Sequence, residues 1–405
     1  MAPYESDDST TAGEAGDGRS GRRRTARYVV PVAVMGVAAA TIGLVPAIAD
    51  SGDPDLPEIT AEQLVRKVAE SDVEQLSGTV KITTDLGLPD LGGLGSGLLA
   101  GAPRADGEGS SADPSARLTE LASGTHTLRV AVDGPDRQKL SLLENAAEYS
   151  LIHNGDDVWA YDSASHEVYH GTVPDRAGEQ REKSLPATPR DFAEKALAAV
   201  DATTSVTVDG TVRVAGRDAY KLLVEPKRPG STIGAISVAV DAETGTPLKF
   251  TLTPADGGAA VVDAGFTRVD FAAPAASAFD FTPPEGAKVT EADEAAKAPE
   301  RERTSGSGRK SEADLAKELD GLQVLGEGWN SVAAFDTGGR GLPAAGAGGD
   351  LDGFLNSLGE RVTGEFGTGT VLSTRLVNAL ITEDGKVYVG TVTKDALVKA
   401  ADAGK

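Results

Sequence analysis

The 405-residue chain contains no cysteine. That excludes disulfides, thiolate zinc sites, a cysteine nucleophile and a lipid-modified N-terminal cysteine. Aromatic residues are scarce, at 4%, so the core must be built from Val, Leu, Ile and Ala. Positive charge is also short, and the formal net charge is −23. Residues 1–49 carry five arginines and five acids, so the rest of the chain holds the whole deficit. A body this acidic repels polyanions at long range, which argues against nucleic acid as a partner. There is no G-x-S-x-G nucleophile turn and no phosphate loop. Gly92-Gly-Leu-Gly-Ser-Gly97 lacks both the preceding apolar strand and a following helix with Lys.

What is abundant is alternation. From Ser205 to Gly286, apolar residues recur at every second position: Val206 and Val208; Leu222 and Val224; Ile236, Val238 and Val240; Leu248, Phe250 and Leu252. A period of two turns one strand face inward and the other toward water. Separate strands are expected at 205–208, 211–214, 220–224, 235–240 and 248–252, with the run closing on Phe279 to Gly286. Asp241 to Pro247 supplies turn residues. Earlier strands are expected at 77–84, 126–132, 138–143, 147–153, 157–161 and 166–170. Asn154-Gly155 marks a hairpin among them. Two helices have start signals. Thr60 and Gln63 form a capping box with Ile59 stapling to Leu64, and Thr188-Pro189 is followed by Asp191.

Five regions follow. Residues 1–27 read as a polar cytoplasmic tail. Residues 28–49 hold no charge and follow Arg22, Arg23, Arg24 and Arg27. At ~1.5 Å per residue they reach ~33 Å, enough to span a bilayer core. A retained anchor and a cleaved signal with its cut near Ala49 both fit, and either one exports the body. Residues 50–289 are the β-rich body, 290–314 a charged linker, and 315–405 a small α+β module that needs to pack on the body. In that module a strand is expected within 322–332 and a helix from Asp350 showing Leu351, Phe354, Leu355 and Leu358. Runs at 371–381 and 386–392 flank Asp384-Gly385, and a last helix spans 393–403. The body is interrupted from Leu86 to Gly124. Leu86, Leu88, Leu91, Leu94, Leu98 and Leu99 make a candidate apolar flap, with a plain insertion as the alternative, before a short helix at 116–123.

His166-Glu-Val-Tyr-His170 matches H-E-x-x-H. On a helix that pattern shares a zinc ion; on a strand, i and i+4 lie ~13 Å apart and cannot. Its β-favouring residues place it on a strand, so neither a metal site nor a zinc hydrolase is expected, and no catalytic set or cofactor is assigned.

Taken together, several stretches resemble the LolA/RseB superfamily of exported proteins. They are the helix from Thr60, Asn154-Gly-Asp-Asp-Val-Trp-Ala-Tyr-Asp162, Val214-Ala-Gly-Arg-Asp-Ala-Tyr220, Val240 to Leu248, and Phe279-Asp-Phe-Thr-Pro-Pro-Glu-Gly286. The resemblance covers about residues 55–288. It implies an α+β fold in which a large curled antiparallel sheet of about eleven strands, an unclosed half-barrel, wraps over helices. It also implies a cavity for lipid or lipoprotein acyl chains and no enzymatic activity. Candidate lining residues, taken from alternating positions, are Val130, Leu151, Trp159, Tyr161, Leu222, Val224, Ile236, Val238 and Phe250. Two roles then compete: a lipid or lipoprotein carrier, and an RseB-like sensor that docks on a membrane partner such as an anti-sigma factor. An ABC transporter would be the matching partner for carriage. The expected location is the outer face of the cell membrane, or free after cleavage.

Overall fold

The structure, a computed structural model, describes residues 53–87, 112, 114, 117, 120–172, 188–292, 323–336 and 359–404. The described residues from Asp53 onward fall in one compact unit. The segment 28–49, the flap leucines from Leu88 onward, the linker beyond Ala292 and the helix expected from Asp350 all lie outside the described residues. Among the described residues, no helix is long and apolar enough to cross a membrane.

The body is one open sheet built mainly from two consecutive meanders. The first runs through β1 (Gln75–Thr84), β2 (Gly124–Asp133), β3 (Arg137–Leu143), β4 (Glu148–Asn154), β5 (Asp157–Asp162) and β6 (Glu167–Thr172). The second runs through β7 (Thr204–Val214), β8 (Arg217–Pro226), β9 (Ile233–Asp241), β10 (Pro247–Pro254) and β11 (Val262–Asp270). A short β12 (Lys288–Glu291) completes the order β12-β6-β5-β4-β3-β2-β1-β11-β10-β9-β8-β7. The meanders join where β1 pairs with β11.

Four points differ from the sequence reading. The sheet has twelve strands and is mixed, because β12 runs parallel to β6. The runs at 205–208 and 211–214 are a single strand, β7, with a register shift between Val208 and Thr211. β11 went unread because Ala264 and Gly265 dilute its apolar pattern, although it sits between β1 and β10. Finally, Phe279 to Gly286 closes the run without forming a strand. It belongs to a strap, residues 272–287, whose backbone does not join the ladder and whose only regular element is a short 3-10 turn at Ala276–Ala278.

Two helices lie on one face of the second meander. Helix α1 (Ala61–Ala69) starts at its capping box: the Gln63 N–H donates to Thr60 Oγ1 at 3.2 Å, and the Thr60 N–H donates to Gln63 Oε1 at 2.9 Å. Helix α2 (Pro189–Ala198) is capped reciprocally by Thr188 and Asp191. Leu64, Val68 and Ala193 from these helices pack with Tyr220, Leu222, Val224, Ile236, Val238, Val240 and Phe250. Phe192 stacks on Phe250 with centroids 5.1 Å apart.

The C-terminal module is a second sheet. It comprises β13 (Gln323–Leu325), β14 (Val332–Asp336), β15 (Glu360–Gly364), β16 (Gly367–Ser373), β17 (Asn378–Thr382) and β18 (Lys386–Gly390), in the order β13-β14-β18-β17-β16-β15. Helix α3 (Lys394–Ala403) buries Leu397 and Ala401 against it. The run read as 371–381 is two strands, broken where Thr374 caps its own turn through the Val377 N–H. Trp329 sits in a 3-10 turn rather than a strand. The module packs on the body: Thr232 N–H donates to Thr391 O at 3.0 Å and Thr393 N–H to Gly230 O at 2.7 Å. Arg375 reaches Asp85 at 2.7 Å, and the Trp329 indole N–H donates to Thr204 Oγ1 at 2.8 Å.

Candidate ligand-binding face

Cross-strand pairing fixes which side chains share a face, because directly opposed residues point the same way. One row runs Phe250–Val238–Leu222 across β10, β9 and β8, with Ile236–Val224 beside it. Phe250 also opposes Ala264, and the same face continues through Ile82 and Val80 of β1 to Leu128 of β2. From there two rows cross the first meander. The deeper one is Leu128–Leu142–Tyr149–Asp162–Glu167; the shallower one is Val130–Leu140–Leu151–Ala160–Tyr169.

Seven of the nine sequence-derived candidates therefore share this helix-bearing face. Five of them, Leu222, Val224, Ile236, Val238 and Phe250, lie under α1 and α2 and are at most 6% exposed. Val130 and Leu151 belong to the other meander. There Val132, Leu140, Leu151 and Tyr169 are only half-buried against the cluster formed by Leu128, Val130, Leu142, Tyr149 and Ala160. Leu140 and Tyr169 were missed, although the alternation in β3 and β6 could have found them.

Ala112, Arg117 and Leu121 meet the deeper row. Tyr149 Oη donates to Ala112 O at 3.1 Å, and Leu121 is buried in the cluster. Arg117 reaches down to Asp162 at 2.5 Å, with Glu120 at 3.1 Å and Glu144 at 3.2 Å, and its guanidinium lies 5.8 Å from the Tyr149 ring centre. Burial pushes the Asp162 carboxyl up, but the Arg117 hydrogen bond and the Ala164 N–H outweigh it and hold the group below its ordinary range. Nothing in the sequence pattern pointed to this pair. Leu86, the one candidate flap leucine among the described residues, is half-buried beside Arg375, whose backbone N–H it accepts at 2.9 Å.

Trp159 and Tyr161 point to the opposite face, since they oppose Ile152 and Ser150. They do not join the other seven. Their rings pack on Phe281 of the strap, at 5.6 Å and 5.9 Å, and Trp159 stacks on His170 at 3.8 Å. The H-E-x-x-H residues also divide. His166, at φ 59°, precedes β6 and contacts Tyr161 Oη and Glu285 O, while His170 sits on β6 and contacts Asp157 and Glu291. Glu167 pairs with Lys288. No cluster of three or more metal-ligating side chains occurs among the described residues.

Two clefts of about 410 and 480 Å³ lie away from the apolar row. One is lined by Gln63, Lys67, Glu70, Asp72, Val73, Glu243 and Thr244. The other, beside Trp329, is lined by both the body and the C-terminal module.

No family model and no curated protein match this chain. Solved structures do. The MucA/MucB complex of Pseudomonas aeruginosa aligns at 16% identity and a TM-score of 0.37, over 84% of this chain and 96% of that one. An uncharacterized conserved protein from Thermus thermophilus aligns at 12% and 0.31, over 57% and 98%. A LolA superfamily protein from Nitrosomonas europaea aligns at 11% and 0.22, over 55% and 99%.

Proposed function

We propose that this chain is an exported, non-catalytic envelope protein that holds an apolar chain, from a lipid or a lipoprotein, along the first meander. The supporting observation is the shallow row Val130–Leu140–Leu151–Ala160–Tyr169, where Leu140, Leu151 and Tyr169 stay half-buried while Leu222, Val224, Val238 and Phe250 of the second meander are buried beneath α1 and α2. Covering that row with methylenes would gain ~0.8 kcal/mol for each one buried, so ten give ~8 kcal/mol before the costs of immobilisation. That suffices for micromolar binding when those costs stay small.

The test is native mass spectrometry and solvent extraction of protein purified without detergent, followed by titration with fatty acids and phospholipids. Wild type is expected to carry lipid, and Leu151→Asp to lose it while keeping its β-sheet circular dichroism. A wild type that carries none and binds none sinks the reading. The protein would then be better described by the sensor alternative, docking on a membrane partner.

A further inference from the structure

β12 is an unusual edge. It is four residues long, it makes the only parallel pairing among the described strands, and its Val289 is 43% exposed. A short parallel ladder is a weak attachment by itself. At one end of the ladder Lys288 pairs with Glu167 at 3.1 Å, on the surface. At the other end the strap-bearing face carries a cross-strand row, Trp159–His170–Glu291. His170 Nδ1 lies 2.8 Å from Glu291 Oε2 and Nε2 lies 2.9 Å from Asp157 Oδ1. The imidazole stacks on Trp159 at 15° to the indole plane.

Both ring nitrogens therefore face carboxylate oxygens. An ionised carboxylate only accepts, and a neutral imidazole has a single N–H, so one of the two contacts would set a lone pair against a negative oxygen. Only the doubly protonated ring satisfies both. We propose that His170 is a protonation-controlled latch: as imidazolium it ties Glu291 of β12 to Asp157 of β5, and on losing its proton it lets β12 leave the sheet edge.

Among the described residues, the charged groups that meet the ring are Asp157 from β5 and Glu291 from β12. The strap contributes Phe281, which packs on Trp159. Burial opposes the charge on His170, but the two carboxylates overcome it and raise its pKa above the ordinary value. A raised folded-state pKa means that the latch is fully closed below the unfolded value of ~6.5 and opens as pH rises through the folded value. Departure of β12 leaves the outer backbone edge of β6 unpaired.

The test is hydrogen exchange of the full chain between pH 5 and 9, corrected for intrinsic rates and read on peptides spanning 288–291. Trp159 fluorescence, taken as the difference between wild type and Trp159→Phe, reports the stack. Protection of β12 is expected to fall at least about tenfold across the His170 titration, the order of effect of losing a charge-assisted hydrogen bond. Glu291→Gln is expected to move the midpoint to lower pH, and His170→Gln to abolish the transition with the rest of the sheet still protected. Protection in wild type that stays level from pH 5 to 9 overturns the latch. So does the same transition persisting in His170→Gln, or an unmoved midpoint in Glu291→Gln.

Discussion

The two meanders of the sheet use the same alternation toward different ends. In β7–β11 the centre of the face is closed beneath the helices: Leu222, Val224 and Val238 are fully buried, with Leu64 and Val68 of α1 and Phe192 and Ala193 of α2 packed against them, while the flanking Val206, Val208 and Leu252 are half-buried. In β1–β6 the same face is only half covered. Ala112, Arg117 and Leu121 lie over the Leu128–Leu142–Tyr149 row, while Leu140, Leu151 and Tyr169 stay partly exposed. One face can thus be core along one half and available along the other. Strand periodicity is identical in the two halves; the difference lies in what is laid over them.

The largest expected effect tests the closed half. Val238→Asp places a carboxylate at a position with no exposure, where nothing described can pair it. A loss of more than about 4 kcal/mol is expected, enough to unfold the body, whereas Leu151→Asp keeps it folded. Chemical denaturation of both variants decides the matter. A cooperative, near-wild-type transition in Val238→Asp would show that the helices do not seal that half.

The roof of the open half comes next. Arg117→Ala leaves Asp162, with 2% side-chain exposure, without its cation. Loss of one partner of a buried pair costs about 3–5 kcal/mol, which Asp162→Asn in the same chain should partly restore. The pair also sets a pH dependence. Because the Asp162 pKa is lowered in the folded state, its contribution is present above the unfolded value of ~3.9 and is lost as pH falls through the folded value. Arg117→Ala should flatten that acid limb of the stability curve, and an unchanged limb would assign it to other carboxylates.

Truncation makes the comparison quantitative without introducing charge. Phe250→Ala removes a ring that is 4% exposed and stacked on Phe192, at an expected ~3–5 kcal/mol. Leu151→Ala, at a half-buried position, should cost well under that, about 1–2 kcal/mol, and reduce bound lipid. Equal losses at the two positions would mean that both halves are core.

The sequence made the strands legible because alternation is local, and the capping boxes of α1 and α2 because they lie within four residues. It could not show that the motifs behind the family resemblance contact one another. Arg217, in the Val214–Tyr220 motif, donates to the fully buried Asp241 of the Val240–Leu248 motif at 2.5 Å. Trp159 and Tyr161, in the hairpin motif, meet Phe281 of the Phe279–Gly286 motif. Each pairing joins residues remote in sequence, and no period of two reports it. Small residues hid β11 in the same way. Its neighbour β1 needs Gly78, where a Cβ would come within 2.9 Å of the Phe266 ring. Arg117 had no signal, since a lone Arg in a polar stretch looks solvated until Asp162 is placed beneath it.

The smallest expected effect is also the most selective. Thr60 accepts the Gln63 N–H and begins α1, whose Leu64 and Val68 cover only the second meander. Thr60→Ala removes that acceptor at a cost of about 1 kcal/mol, leaving an N–H of the first turn to water. If α1 seals one half and has no part in the other, hydrogen exchange should quicken in α1 and in the β8 and β9 segments beneath it. The peptides of β3 to β6, and the amount of lipid bound, should stay at wild-type levels. A drop in bound lipid from this distant cap would place the ligand under α1 after all, and would move the site to Leu222, Val238 and Phe250.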